Sequence, residues 1–166
     1  METNWIALLV AAVIPLVIGG IWYHPKVMGT AWMKASGITE EQIRSGNMAK
    51  IFGLTFLFSL MLATFMNVLV IHQYAINSIL VNEPGFGDPN SEVGMYIADF
   101  MARYGTNFRT FSHGATHGVI ATLFFAFPLL AINAQFERRS WTYILIHTGY
   151  WMITLALMGG LICAWV

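Results

Sequence analysis

Histidines that border apolar runs are the side chains of this sequence best suited to hold a ligand. His113 and His117 are four positions apart, so on a helix their imidazoles leave one face, one turn apart. Two imidazoles at that spacing can bind one divalent ion such as zinc. His72 follows the end of another apolar run. Asp99, or in second place Glu92, would add a carboxylate from the segment between. The expected metal set is therefore His72, His113, His117 and Asp99. The plainer role of such histidines is a hydrogen bond to backbone or water at an interface. No glutamate lies between His113 and His117 as in a zinc-protease helix.

A second constellation lies near the end of the chain. Tyr143, His147, Tyr150 and Thr154 recur at helical spacing in an apolar run. Polar side chains inside a membrane segment face the bundle rather than lipid. They either line a ligand cavity or hydrogen-bond between helices. The expected ligand-binding set is His147, Tyr143, Tyr150 and Asn67, with Asn67 and Thr64 contributed by an earlier run. Cys163 is the sole cysteine, which excludes an intrachain disulfide. Its apolar surroundings suit a small hydrophobe. No nucleophile–base pair and no paired carboxylates mark a catalytic site, so an enzyme ranks last. A haem held by two histidines would declare itself in a visible spectrum.

The elements that position these residues follow from composition. The chain of 166 residues is 57% hydrophobic and 10% charged, where a soluble domain carries about 25% charged residues. Too little charge is present to cover a water-exposed surface, and none of the excess is basic, so nucleic acid is not an expected partner. A bilayer core about 30 Å thick needs about 20 apolar residues per helical span. Four stretches qualify, over about 5–23, 51–72, 113–134 and 141–165. Helix after the second has room to continue to about Leu80. Period-two alternation is absent, which argues against a barrel. The expected fold is an all-α membrane protein with four transmembrane helices in an antiparallel bundle and interfacial helices in the first and second loops.

The first stretch reads as a retained span rather than a cleaved signal, because no basic residue precedes it and Trp22-Tyr23-His24-Pro25 follows it. Lys26, Lys34, Arg44, Lys50, Arg138 and Arg139 fall in the first and third loops, against Arg103 and Arg109 on the other side. This imbalance places those loops in the cytoplasm and both termini outside. In the first loop, Val27, Met28, Trp32 and Met33 fit a short interfacial helix stopped by Gly37. Thr39-Glu40-Glu41-Gln42 matches a capping box for a helix leading into the second span. In the second loop Ser91 is a good N-cap for an amphipathic helix over about 91–104, ended by Gly105. That helix is either a packed loop or a lid. Ser140 can cap the fourth span after the tight turn Phe136-Glu137-Arg138-Arg139.

Thr110, Gly114, Gly118, Thr122 and Ala126 form one stripe of small residues. Such stripes let helices approach closely in lipid. The contact is either internal or between subunits, with internal packing favoured.

Several runs resemble a membrane family known as domain of unknown function 1761. They are Asn4-Trp5, Gly20-Ile21-Trp22-Tyr23-His24-Pro25 and Gly29-Thr30-Ala31-Trp32-Met33, then Asn133-Ala134-Gln135-Phe136-Glu137-Arg138-Arg139 and Gly149-Tyr150-Trp151. The resemblance implies a small multi-span membrane protein and carries no activity with it.

Three function classes follow. The first is a binding or transport protein for a small ligand or metal ion, its partner the lipid bilayer and its state a homo-oligomer. The second is an accessory subunit packed against a larger membrane complex. The third is an intramembrane enzyme. The absence of carboxylates from the spans argues against proton coupling. A bacterial inner membrane is the expected location.

Overall fold

A computed structural model of the chain describes residues 3–166. In lipid every backbone amide must find a partner within its own segment, which a helix provides. The described residues accordingly contain helices and no strand. In chain order these are α1 (Trp5–Trp22), a π-helical turn (Pro25–Gly29), α2 (Thr30–Ser36), α3 (Glu40–Arg44), α4 (Met48–Val70), α5 (Tyr74–Leu80), α6 (Glu92–Tyr104), α7 (Phe111–Ala121), a second π-helical turn (Thr122–Ala126), α8 (Phe127–Phe136) and α9 (Trp141–Ala164). Four helices are long and apolar enough to cross a membrane: α1, α4, the unit Phe111–Phe136 and α9.

Short polar side chains start these helices by accepting from otherwise unpaired amides. Asn4 accepts from Ala7 N and Asn47 from Lys50 N, each at 3.0 Å. Ser91 and Ser140 do the same for α6 and α9. The capping box of Thr39 and Gln42 forms, but its helix does not run into the second span. It stops at Ser45, whose hydroxyl donates back to the Gln42 carbonyl, and Asn47 caps α4 afresh. Nor does α4 continue to Leu80. Ile71 is extended at φ −107° and ψ 94°, because Gln73 is drawn to carbonyls of a distant loop.

Helix α9 is the centre of the bundle. Its Leu155, Met158 and Ile162 pack with Leu8 and Ala11 of α1 and with Ala63, Met66 and Val70 of α4. Large apolar side chains also point outward, including Val17, Phe58, Met61, Phe124 and Leu145. An exterior of this kind suits hydrocarbon as its solvent.

Helices α7 and α9 pack backbone against backbone. A Cβ on Gly114 would collide with the Gly159 carbonyl, and one on Gly118 with the Leu155 carbonyl. The small-residue stripe therefore faces α9 of the same chain. Thr122 continues the seam, donating to Gly118 O at 2.9 Å and Trp151 O at 3.4 Å. Thr110 instead caps α7 through His113 N. The π-helical turn after Thr122 has a local cause. Pro128 lacks an amide hydrogen and its ring crowds the carbonyl four residues back, so the helix widens there.

At the far end, α8 closes with Arg139 N donating to Ala134 O and Arg138 N to Gln135 O. Arg138 takes φ 55° in this cap, a conformation usually left to glycine. On the other side of α9, Trp22 Nε1 donates to Ile146 O at 3.1 Å, and its ring fills the space that a Cβ on Gly149 would need.

These contacts set the cost of adding atoms to the seam. Gly118→Ile should destabilise the protein in detergent by about 3 kcal/mol or more, since the backbones must separate. Gly20→Ala, with nothing within 4 Å of the added carbon, should be neutral or slightly stabilising. Thermal unfolding of the purified variants measures both.

Candidate metal centre

The interruption after α4 is what presents His72. The backbone leaves the helix at Ile71 and turns through Gln73 into α5. Gln73 is buried and its amide donates to Tyr104 O at 3.1 Å and Asn107 O at 2.8 Å. The loop after α6 is thus tied to the break that carries His72. The same loop is tied to the end of α9. Arg109 Nε donates to Cys163 O at 2.8 Å, and its terminal nitrogen to Trp165 O at 3.0 Å. It satisfies carbonyls that the last turn of a helix leaves unpaired. The Cys163 thiol donates to the carbonyls of Val70 and Phe108. Phe108, held between these bonds, adopts φ 60°. A left-handed backbone on a bulky residue is strained, and such strain gathers at functional sites.

Against this loop stand the first turns of α7. His72, His113 and His117 each offer a ring nitrogen, and the three lie within 4.8 Å of one another. His72 Nε2 and His117 Nε2 are 3.2 Å apart. Their ring centroids are 4.6–5.0 Å apart, all edge to face. His72 is exposed and the two α7 histidines are half-buried. His113 Nε2 is inaccessible and has no hydrogen-bond partner. Phe108 packs beside His113, with centroids 5.2 Å apart. Zinc–imidazole bonds of about 2.0–2.1 Å at the tetrahedral angle put ligand nitrogens about 3.3 Å apart. The His72–His117 pair already has that spacing, and His113 offers a nitrogen within 4.8 Å of both.

Asp99 does not join the cluster. It pairs with Arg103 at 2.9 Å on the exposed side of α6, because the helical interval of four sets the two charges together. Phe100 and Tyr104 of the same helix do reach the site. With His72, Gln73, Asn107 and Phe108 they line a cavity of about 240 Å³.

The other polar constellation divides. His147 Nδ1 is 2.8 Å from the Tyr23 hydroxyl, and the ring packs on Tyr143 with centroids 4.4 Å apart. Tyr150 donates to Pro15 O at 2.9 Å. Tyr23 also contacts Trp32 and Tyr150. Arg139 lies over the Tyr143 ring and donates to Ser36 O. Of the runs quoted above for the family resemblance, those holding Tyr23, Trp32, Arg139 and Tyr150 meet here, at the end of the α8–α9 turn, whereas Asn4 and Trp5 begin α1 at the opposite end. A cavity of about 320 Å³ opens beside Tyr23 and Trp32. The structure does not bring Asn67 to this cluster. Asn67 lies toward the other end of the bundle and donates to the Tyr74 hydroxyl at 2.9 Å. Nor does His147 join the histidine triad. Gly118 meets α9 at Leu155, eight residues beyond His147, which is about 12 Å along a helix.

Sequence reasoning missed Gln73, Phe108 and Arg109. Only the composition of the loop hinted at them, since a glutamine beside an interfacial histidine and an arginine before a helix have many other uses. Tyr23 lay within a recognised run but had no assigned partner. Tyr23→Phe should cost about 1 kcal/mol through loss of the bond to His147. Thermal unfolding would register that loss, and the histidine triad at the other end should be unaffected.

No curated protein and no solved structure matches the chain. The profile of the family described as "Protein of unknown function (DUF1761)" matches residues 6–163. That match takes in all four membrane-length helices nearly end to end, and the chain belongs to the DUF1761 family.

Proposed function

We propose that this is a multi-pass membrane protein that binds one divalent metal ion, zinc foremost, on His72, His113 and His117. The observation that supports this reading is the convergence of three imidazoles from two separate segments, with ring nitrogens within 4.8 Å. Among these rings His113 Nε2 is buried without a hydrogen-bond partner, which leaves it able to bind an ion. Neutral imidazole is the commonest metal ligand, and three of them with one open position are a familiar zinc arrangement. The Lys and Arg imbalance adds an orientation. In a bacterial inner membrane, the triad and both termini would face away from the cytoplasm.

The test is direct. Protein purified in detergent, stripped with a chelator and titrated with zinc should take up one equivalent and gain thermal stability, as any ligand specific to the folded state confers. His113→Ala and His117→Ala should each lower zinc affinity by about 100-fold or more, beyond the usual effect of losing an outer-shell partner. Asp99→Asn should leave it unchanged. No uptake, with unchanged melting, would end the reading.

Acidity gives an independent check. The ligands must be neutral, and an ordinary histidine protonates near pH 6.5. Zinc affinity should therefore be highest above about pH 7 and fall steeply below about pH 6. An affinity unchanged between those values would exclude imidazole ligands.

A further inference from the structure

We infer that the cavity between His72 and Phe108 receives a small oxyanion, carboxylate or phosphate, as the fourth ligand of the metal. The inference rests on the metal reading and goes further, because it specifies what the open position takes. Three protein ligands leave one corner of a tetrahedral zinc vacant. The cavity lies against His72, and its volume of about 240 Å³ is below the range of about 300–1,000 Å³ usual for drug-sized ligands. A small group fits it.

Charge determines the sign of that group. The converging side chains are three imidazoles, with no carboxylate among them. Bound as neutral ligands, they leave a divalent ion with both charges uncompensated. At the edge of an apolar bundle such a charge is costly unless an anion balances it. Asp99 does not supply the balance, since Arg103 holds it at the surface. An exogenous anion would, displacing the water or hydroxide that otherwise fills the open position of a zinc site.

The walls of the cavity are compatible with this occupant. Phe100, Tyr104 and Phe108 give the cavity aromatic walls that limit the occupant to a small group. Asn107 provides an amide, with its backbone carbonyl already committed to Gln73. The site sits at the ends of α4 and α7, where a lipid headgroup and a free anion both have access.

Cobalt in place of zinc makes the fourth ligand visible. The cobalt-loaded protein should show a ligand-field spectrum that shifts and saturates on adding acetate or inorganic phosphate in nonionic detergent. A short-chain phosphatidic acid, added in parallel, distinguishes a headgroup from a free ion by which probe saturates at lower concentration. Asn107→Phe keeps the carbonyl that holds Gln73 and fills the cavity. It should retain cobalt and lose the anion response. Cobalt binding with a spectrum that no anion moves overturns the inference and leaves the metal reading standing. An undiminished anion response in Asn107→Phe also overturns it, since the anion then enters elsewhere. Failure to bind cobalt or zinc at all removes both readings together.

Discussion

Direct backbone contact between α7 and α9 governs this molecule. In lipid no hydrophobic force drives helices together, so association relies on packing and on polar contacts between backbones and side chains. Gly114, Gly118 and Gly159 remove the side chains that would hold the two helices apart. Thr122 then spends its hydroxyl within the seam. With α9 also packed on α1 and α4, the position of α7 is fixed relative to every other span. Its histidines consequently meet His72 rather than lipid.

Around that seam, polar groups close the bundle at both ends. At one end Arg109 binds the last carbonyls of α9, while Gln73 binds the loop carbonyls before it. These bonds keep His72 out of the helix and hold Phe108 in its left-handed conformation. At the other end Trp22, Tyr23, His147 and Arg139 join the first loop to α9. The histidines at the two ends differ in setting. His147 bonds Tyr23 through Nδ1 and leaves Nε2 buried without a partner. The triad instead brings nitrogens of three imidazoles within 4.8 Å of one another.

Much of the architecture could be read directly from the residues. Apolar runs without charge fixed the number of spans, because each must exclude charge over about 20 residues to cross hydrocarbon. Thr39, Ser91 and Ser140 marked helix starts, because a cap acts on amides two or three residues away. The spacing of His113 and His117 placed both on one face for the same local reason. The stripe through Gly114 and Gly118 announced a close helix contact without naming its partner.

What the sequence determined by itself is therefore everything that depends on near neighbours: the helices, most of their caps, the lipid-facing exterior and one pair of ligand positions. Tertiary structure alone decided the rest. It ended α4 at Val70 rather than near Leu80 and divided Asn67 from His147. It left Asp99 with Arg103 and brought His72 to a pair 41 and 45 residues away in the chain. Those outcomes follow from bonds such as Gln73 to Asn107 and Arg109 to Cys163. Their donors and acceptors are common residue types with many local alternatives, so no spacing rule selects the pairing until the glycine seam has fixed which helices lie side by side.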